Sequence, residues 1–329
     1  MYDVITFGGA TRDIFFETTE GIIFPDPEDV QEKMLAFKYG QKIITDNAYF
    51  SFGGGAFNSA VCFSKMGIKA APCINIGKDE SAKSIKERLD ECNIDASLVT
   101  EDEEAHTALS MIVMDKKDHV AFLHRGANNF LKLCDSEKMK NTKWFYITSL
   151  TGKSADILED IIKFAKENEI KIALNPGSTQ LKRDHKKLKS FLKDIEILIL
   201  NREEAEGLVC SEELCEVVSE NKVLIWKLHK MGARRVILTE GEKGSYYGED
   251  DMVNFESAFK KEGGVVDTTG AGDAFGSTFI SGVIMGLDIP LTQNIAAINA
   301  AHVTQYIGAQ EGLLTHGEIK NKLKPVKRV

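Results

Sequence analysis

The feature that most constrains this chain is the alternation of short apolar runs with longer amphipathic stretches. Val4-Ile5-Thr6-Phe7 ends at Gly8-Gly9, and Ala71 to Ile76, Trp144-Phe145-Tyr146-Ile147, Lys171-Ile172-Ala173-Leu174, Ile195 to Leu200 and Arg235 to Leu238 repeat the pattern. Between them Ala56 to Met66, Glu80 to Cys92 and Ala155 to Asn168 carry helical spacing, and two further helical stretches, Thr269 to Met285 and Leu291 to Tyr306, fill the last third. Runs this short and this apolar read as strands buried on both faces, because a strand with one wet face alternates instead. The pattern predicts an α/β fold with a doubly wound, mainly parallel sheet flanked by helices.

One stretch breaks the rhythm. Between Phe15 and Phe52 the β-rich patches Thr18 to Phe24 and Ile43 to Phe52 flank a short helix predicted near Asp29 to Phe37. Residues Thr107 to Met114 and His119 to Leu123 form a further patch around the turn Asp115-Lys116-Lys117-Asp118. Extra strands inserted near the start of a doubly wound domain predict a small β-rich lid. It would be built from about residues 15–52 and 107–123 of a single domain spanning residues 1–329.

Charge narrows the partners. The chain carries 41 basic and 50 acidic side chains, a net charge of −9. A duplex binder needs a basic face to displace counterions, so nucleic acid is excluded as an obligatory partner. Hydrophobic residues at 43% exclude disorder as the main state. The amino terminus Met1-Tyr2-Asp3-Val4 has no basic region followed by an apolar run, and the longest uncharged stretch, Ala274 to Leu287, is too short and glycine-rich to span a bilayer. The cysteines Cys62, Cys73, Cys92, Cys134, Cys210 and Cys215 form no C-x-x-C pair and read as free thiols. The expectation is a soluble cytoplasmic protein with no membrane partner.

The strongest chemical signal is Asp267-Thr268-Thr269-Gly270-Ala271-Gly272-Asp273-Ala274-Phe275. Small residues let the backbone turn sharply and approach a ligand closely. A helix follows at once, so free N–H groups and the helix dipole form a site for an anion. Asp273 beside a phosphate would only repel it, unless a hydroxyl lies between them to donate its proton; that describes phosphoryl transfer to an alcohol. A helix start with an Asp in its first turn is the alternative, a common capping arrangement without chemistry.

The second signal is Gly53-Gly54-Gly55-Ala56-Phe57-Asn58-Ser59-Ala60, a glycine joint opening a helix. Asn58 can present both a donor and an acceptor to a polyol, or simply face solvent. Two look-alikes fail. Thr151-Gly152-Lys153-Ser154 lacks the earlier glycine of a P-loop, since Ile147 occupies that position. After Gly270 and Gly272 the next glycine is Gly276, one residue late for a dinucleotide fingerprint. The seven histidines show no metal-like clustering.

Together the two glycine-rich segments resemble the signatures of the ribokinase or PfkB family of carbohydrate and nucleoside kinases. Gly54-Gly55-Ala56-x-Asn58-x-Ala60 with the later Gly67 and Gly77 is similar to the amino-terminal one, and Asp267-Thr268-x-Gly270-Ala271-Gly272-Asp273 to the carboxy-terminal one. Weaker features fall in order between and around them: Gly8 to Asp13, Asn201-Arg202-Glu203-Glu204, Thr239 to Gly244, and Gly308-Ala309-Gln310. Thr278 departs from the pattern, which has a small Ala or Gly there, and predicts altered helix packing without loss of chemistry.

The resemblance implies a ribokinase-like fold and an ATP-dependent phosphotransferase with an alcohol acceptor, moving the γ-phosphate to a hydroxymethyl group of a sugar or sugar-like molecule. A nucleoside kinase, or a catalytically silent sugar-binding regulator, is the alternative. Asp273 is then the base and the amides of Gly270, Ala271 and Gly272 the anion hole. Asp13, Gly54, Gly55 and Asn58 would hold the substrate, and Asn201, Thr239, Gly241, Gly244 and Asn299 the nucleotide. Glu204 would position Mg²⁺ through water. Asp267 and Thr269 match a monovalent-cation site, so potassium activation is expected. At a helix amino terminus Asp273 is expected to be a stabilised anion and weak base that orients the alcohol and takes its proton late. The lid would close over the sugar on a Gly53-Gly54-Gly55 hinge, and exposed strands such as Ile22-Ile23-Phe24 would suit a homodimer through the lid.

Overall fold

Each apolar run becomes a strand whose two faces are covered by helices, and the strands line up in one nine-stranded sheet. The computed structural model describes residues 1–25, 33–115, 119–210, 220–260 and 263–323. Across the sheet the order is Met252–Glu256, Ser245–Glu249, Arg235–Thr239, Ile197–Asn201, Lys171–Leu174, Thr142–Ile147, Tyr2–Phe7, Ala70–Ile76, Val99–Glu101. All neighbours from Arg235–Thr239 to Val99–Glu101 pair in parallel, and the two strands beyond Arg235–Thr239 are antiparallel. One buried cluster packs Phe145, Ile161 and Leu198 on one face; the other packs Phe63, Ile199 and Phe279 on the opposite face. No helix among the described residues is long and apolar enough to cross a membrane.

The inserted segments form a separate four-stranded sheet in the order Asn47–Gly53, Thr11–Glu17, Ala108–Met114, His119–His124. It begins earlier than the sequence suggested. Thr11–Glu17 pairs along its whole length with both neighbours, so Asp13 lies within this sheet rather than in a loop of the main one. Register sorts its side chains by face. Ser51, Asp13, Ser110 and Leu123 stand opposite one another in a single cross-strand row. Arg12 points to the other face, where its guanidinium lies 4.5 Å from the Phe52 ring centroid.

Two expectations need correction. The helix predicted near Asp29 to Phe37 is not formed in its described part: Lys33–Ala36 is a strand paired with Ile22–Pro25. Cross-strand packing of Met34 on Phe24 and Leu35 on Ile23 outweighs local helical preference. Residues 29–32 and 116–118, and Cys215, lie outside the described residues. Cys73 and Cys134 are not free thiols but a disulfide, with Cα atoms 6.2 Å apart across a sequence separation of 61. Cys210 is disulfide-bonded too. The fold makes a pair that spacing along the chain conceals.

Candidate active site

In a doubly wound sheet the chain leaves adjacent strands in opposite directions at one point, and a crevice opens beyond their carboxyl ends. Here Tyr2–Phe7 sits between Thr142–Ile147 and Ala70–Ile76. Gly8 and Thr148 follow the first two strands, and the helix Gly55–Lys65 opens against Gly9, whose carbonyl accepts from Phe57 N at 3.3 Å. Gly54 is needed at that approach. Its φ is +91°, and a Cβ would lie 2.6 Å from the Gly9 carbonyl carbon. The Gly53-Gly54-Gly55 run is thus a close-packed joint, with Gly53 leaving room for the Asp13 carboxylate and Gly55 packed on Thr148.

Packed directly on the helix Gly55–Lys65 is the helix Ala271–Ile284, with Cys62 Sγ 3.3 Å from Thr278 Oγ1. Gly270 precedes it with φ +78°, and a Cβ there would lie 2.6 Å from Ala309 Cα. Asp267 sets up the turn: its Oδ1 accepts from Thr269 N at 2.9 Å and Thr269 Oγ1 at 2.7 Å, and its Oδ2 accepts from Gly308 N at 2.9 Å. Of the three amides expected to form an anion hole, that of Ala271 turns back to Thr268 O at 3.3 Å. Those of Gly270, Gly272 and Asp273 have no acceptor among the described residues. Gly272 is exposed, with open space where a side chain would be.

Asp273 is half-buried beside these amides, and Asn58 Nδ2 donates to its Oδ2 at 2.8 Å. Asn58 Oδ1 accepts from Gln310 Nε2 at 3.1 Å. Asn58 therefore has one N–H and one lone pair of its oxygen engaged within the chain, which leaves its second N–H and a second lone pair for a substrate. Burial pushes the Asp273 carboxyl up from the usual range, and the Asn58 donor only partly opposes it. The weak base was expected from the helix terminus alone; burial by the surrounding protein acts in the opposite direction.

The small sheet brings its row to the same turns: a Cβ on Gly53 would meet the Asp13 carboxyl and one on Gly308 would meet the Ser51 side chain. Asp13 is 4% exposed, and burial, with the Asp267 charge adding to it, raises its pKa to about 6; a Ser110 hydrogen bond and Arg12 act in the other direction. Among the described residues Asp13 Oδ1 and Ser51 Oγ are buried without a hydrogen-bond partner. Two orphaned polar atoms on facing strands leave hydrogen-bonding capacity unspent in a buried place. Ser51, Ser110 and Leu123 were not singled out in the sequence. The available signal was strand alternation through Tyr49-Phe50-Ser51-Phe52, which aligns Ser51 with Asp13 once register is known.

The expected nucleotide residues divide. Asn201 and Thr239 end adjacent strands and are register partners, and Gly241 and Gly244 bracket the turn that follows Thr239. Asn201 and Glu204 form a reciprocal capping box: Asn201 Oδ1 accepts from Glu204 N at 2.8 Å, and Glu204 Oε2 from Asn201 N at 2.9 Å. Burial raises the Glu204 pKa. Asn299 is misplaced for a nucleotide. It is fully buried, donating to Thr278 Oγ1 at 2.8 Å while its Oδ1 accepts from Leu314 N at 2.9 Å. The Thr278 departure thus serves a buried bond between the last two long helices, Ala271–Ile284 and Ile289–Val303.

Comparison with known proteins accords with this geometry. Residues 21–316 match the profile described as pfkB family carbohydrate kinase. The chain is 25% identical over 312 residues to an ATP-dependent 6-phosphofructokinase of Thermoanaerobacterium thermosaccharolyticum, covering 89% of this chain and 94% of that protein. It is 25% identical over 326 residues to a nucleoside kinase of Methanocaldococcus jannaschii, covering 98% and 97%. The structure of Arabidopsis thaliana ribokinase complexed with ribose and ATP superposes with a TM-score of 0.80 at 22% identity, covering 98% of this chain and 99% of that one.

Proposed function

The chain belongs to the pfkB family of carbohydrate kinases and is a phosphotransferase with an alcohol acceptor, and we propose that it moves the γ-phosphate of ATP to a hydroxymethyl group of a neutral sugar. The observation that carries this reading is Asp273 held by Asn58 at 2.8 Å beside the unpaired amides of Gly270 and Gly272. The alcohol oxygen attacks the γ-phosphorus as the bond to the β–γ bridging oxygen breaks. ADP leaves with that electron pair, and the alcohol proton passes to Asp273. A loose transition state demands little early deprotonation, and a carboxyl raised by burial is a better late acceptor than an ordinary one. The fixed amides receive the charge on the moving phosphate. A silent regulator would have no need of this pairing of carboxyl and amides.

Asp13 and Ser51 take substrate hydroxyls, with the free N–H of Asn58. The row Ser51, Asp13, Ser110 and Leu123 holds an acid and no cation, so a phosphorylated sugar would meet Asp13 without a counter-charge. A nucleoside is the second reading. Leu123, 53% exposed in the same row as Asp13, offers an apolar surface to a base.

Glu204 Oε1 stays outside the capping box, and with Asn201 it suits water ligands of Mg²⁺. Among the described residues no group of three or more His, Cys, Asp or Glu side chains could hold a metal, so most of its ligands would be phosphate oxygens and waters. When bound, the ion neutralises phosphate charge. Asp267 Oδ2 keeps an acceptor site beyond its bond from Gly308 N, and potassium is assigned there with Thr269. Faster turnover in potassium than in tetramethylammonium is expected; equal rates would remove that assignment. The small sheet acts as the lid that excludes water. Its outer face, with Phe50 and Phe122 at 63% and 56% exposure, pairs two copies, and ATP as donor fits the cytoplasm.

The test is ADP release with pentoses, hexoses, 2-keto-3-deoxy acids, sugar phosphates and nucleosides. Turnover with a neutral acceptor is expected. Activity confined to sugar phosphates, or none with any acceptor, would contradict the reading.

A further inference from the structure

A chain of three hydrogen bonds runs into the site from outside it. Arg88 Nε donates to Gln310 Oε1 at 3.3 Å, Gln310 Nε2 to Asn58 Oδ1 at 3.1 Å, and Asn58 Nδ2 to Asp273 Oδ2 at 2.8 Å. Arg88 is on the helix Glu80–Glu91, Gln310 in the turn after the helix Ile289–Val303, and Asn58 in the first turn of Gly55–Lys65. Gln310 is fully buried and Asn58 4% exposed.

The direction of these bonds follows from chemistry. A primary amide can face either way, and its two ends are nearly alike in shape. A guanidinium has donors only. Facing Arg88, Gln310 must present its oxygen, which leaves its nitrogen toward Asn58. Asn58 must then present its own oxygen to Gln310 and its nitrogen to Asp273. With the amide reversed, an oxygen would face the carboxylate, an arrangement that only a protonated Asp273 tolerates.

We propose that Arg88 and Gln310 are positioning residues that fix the amide orientation of Asn58 and, through it, hold the Asp273 carboxylate ready to receive a proton. The part played by Asp273 rests on the kinase reading above; the orientation itself does not. Two other titratable groups face Asp273. They are Tyr146, on the strand Thr142–Ile147, and Cys62, one turn along the helix that carries Asn58; burial raises the pKa of both, so they stay neutral through the range in which a carboxyl titrates.

The test is Gln310→Glu, which keeps size and replaces the donor facing Asn58 with an acceptor. The new carboxylate pairs with Arg88, Asn58 turns its nitrogen toward it, and the Asn58 oxygen meets Asp273. In protein labelled with ¹³C at aspartate Cγ, the resonance absent from Asp273→Asn reports the carboxyl directly, whether or not the enzyme turns over. It is expected to titrate at least one pH unit higher in Gln310→Glu than in the unaltered protein. In the kinase assay the acid limb of kcat moves the same way, kcat on that limb falls at least about tenfold at a given pH, and the KM for ATP changes less than twofold.

Gln310→Met, which keeps volume but neither donates nor accepts, raises the titration less. Glu91→Ala, which removes the exposed partner of Arg88 at 3.0 Å but leaves the relay intact, changes neither reading. An unmoved Asp273 titration in folded Gln310→Glu overturns the proposal. So does a loss of kcat at every pH with the acid limb in place, which would mean that Gln310 only braces its loop. Absence of any acceptor-dependent ADP release by the unaltered protein would count against the kinase reading alone, since the resonance still tests the relay.

Discussion

Asp13→Asn is expected to make the protein more stable and a worse kinase. Asp13 is 4% exposed, has an orphaned Oδ1 and has a pKa raised to about 6. Unfolded, it titrates near 3.8. A raised carboxyl binds its proton more tightly in the folded state, so its contribution favours folding at low pH and is lost as pH rises from about 4 through 6. The difference corresponds to about 3 kcal/mol of destabilisation by the ionised group above pH 7. An amide of the same shape carries no such penalty and can still accept from Ser110. Urea unfolding at pH 8 is expected to show Asp13→Asn more stable by about 2–3 kcal/mol, with the advantage gone by pH 4. Losing a charged acceptor for substrate hydroxyls should raise the KM of the sugar about 10- to 100-fold, with that of ATP unchanged. Equal or lower stability of Asp13→Asn at pH 8, or a gain that ignores pH, would refute the reasoning.

Gly270→Ala combines a positive φ with a Cβ driven into Ala309, and is expected to lower stability by about 2–4 kcal/mol, read by urea unfolding, and kcat by more than tenfold. Reduction of Cys73–Cys134, or Cys73→Ser, should lower the melting temperature by about 4–8 °C, because the bridge closes a long loop in the unfolded chain. Thiol counting by alkylation and mass spectrometry under denaturing, non-reducing conditions should leave both cysteines unlabelled. Thr278→Ala should destabilise by about 1 kcal/mol by removing the oxygen partner of the buried Asn299 Nδ2, which keeps only the weaker Cys62 Sγ acceptor, while leaving kcat within twofold.

The parallel sheet was legible because fully buried strands have no wet face to disguise them, as in Val4 to Phe7. The turn at Gly270 was legible because a run of small residues stands directly before a helical pattern, and Gly270 takes a φ of +78° that L side chains rarely adopt. What stayed hidden depends on register and distance. Nothing local marks Ser51 as the neighbour of Asp13, and that pairing exists only once Asn47–Gly53 lies against Thr11–Glu17. Asn299 misled because a polar residue near the end of a helix looks the same in sequence whether it faces a ligand or, as here, a buried threonine. Lys33–Ala36 misled because its partner strand sets its conformation. The Asp273 environment could not be inferred from its helix position, since the crowding that raises its pKa comes from other parts of the chain.

Whether Asp273 receives the alcohol proton beside the Gly270 and Gly272 amides is measured most directly by the turnover of Asp273→Asn beside its affinity for ATP. The expected result is a fall in kcat of about 10²- to 10⁴-fold with nucleotide binding within twofold of the unaltered protein. Unimpaired turnover by Asp273→Asn with the same acceptor would contradict it.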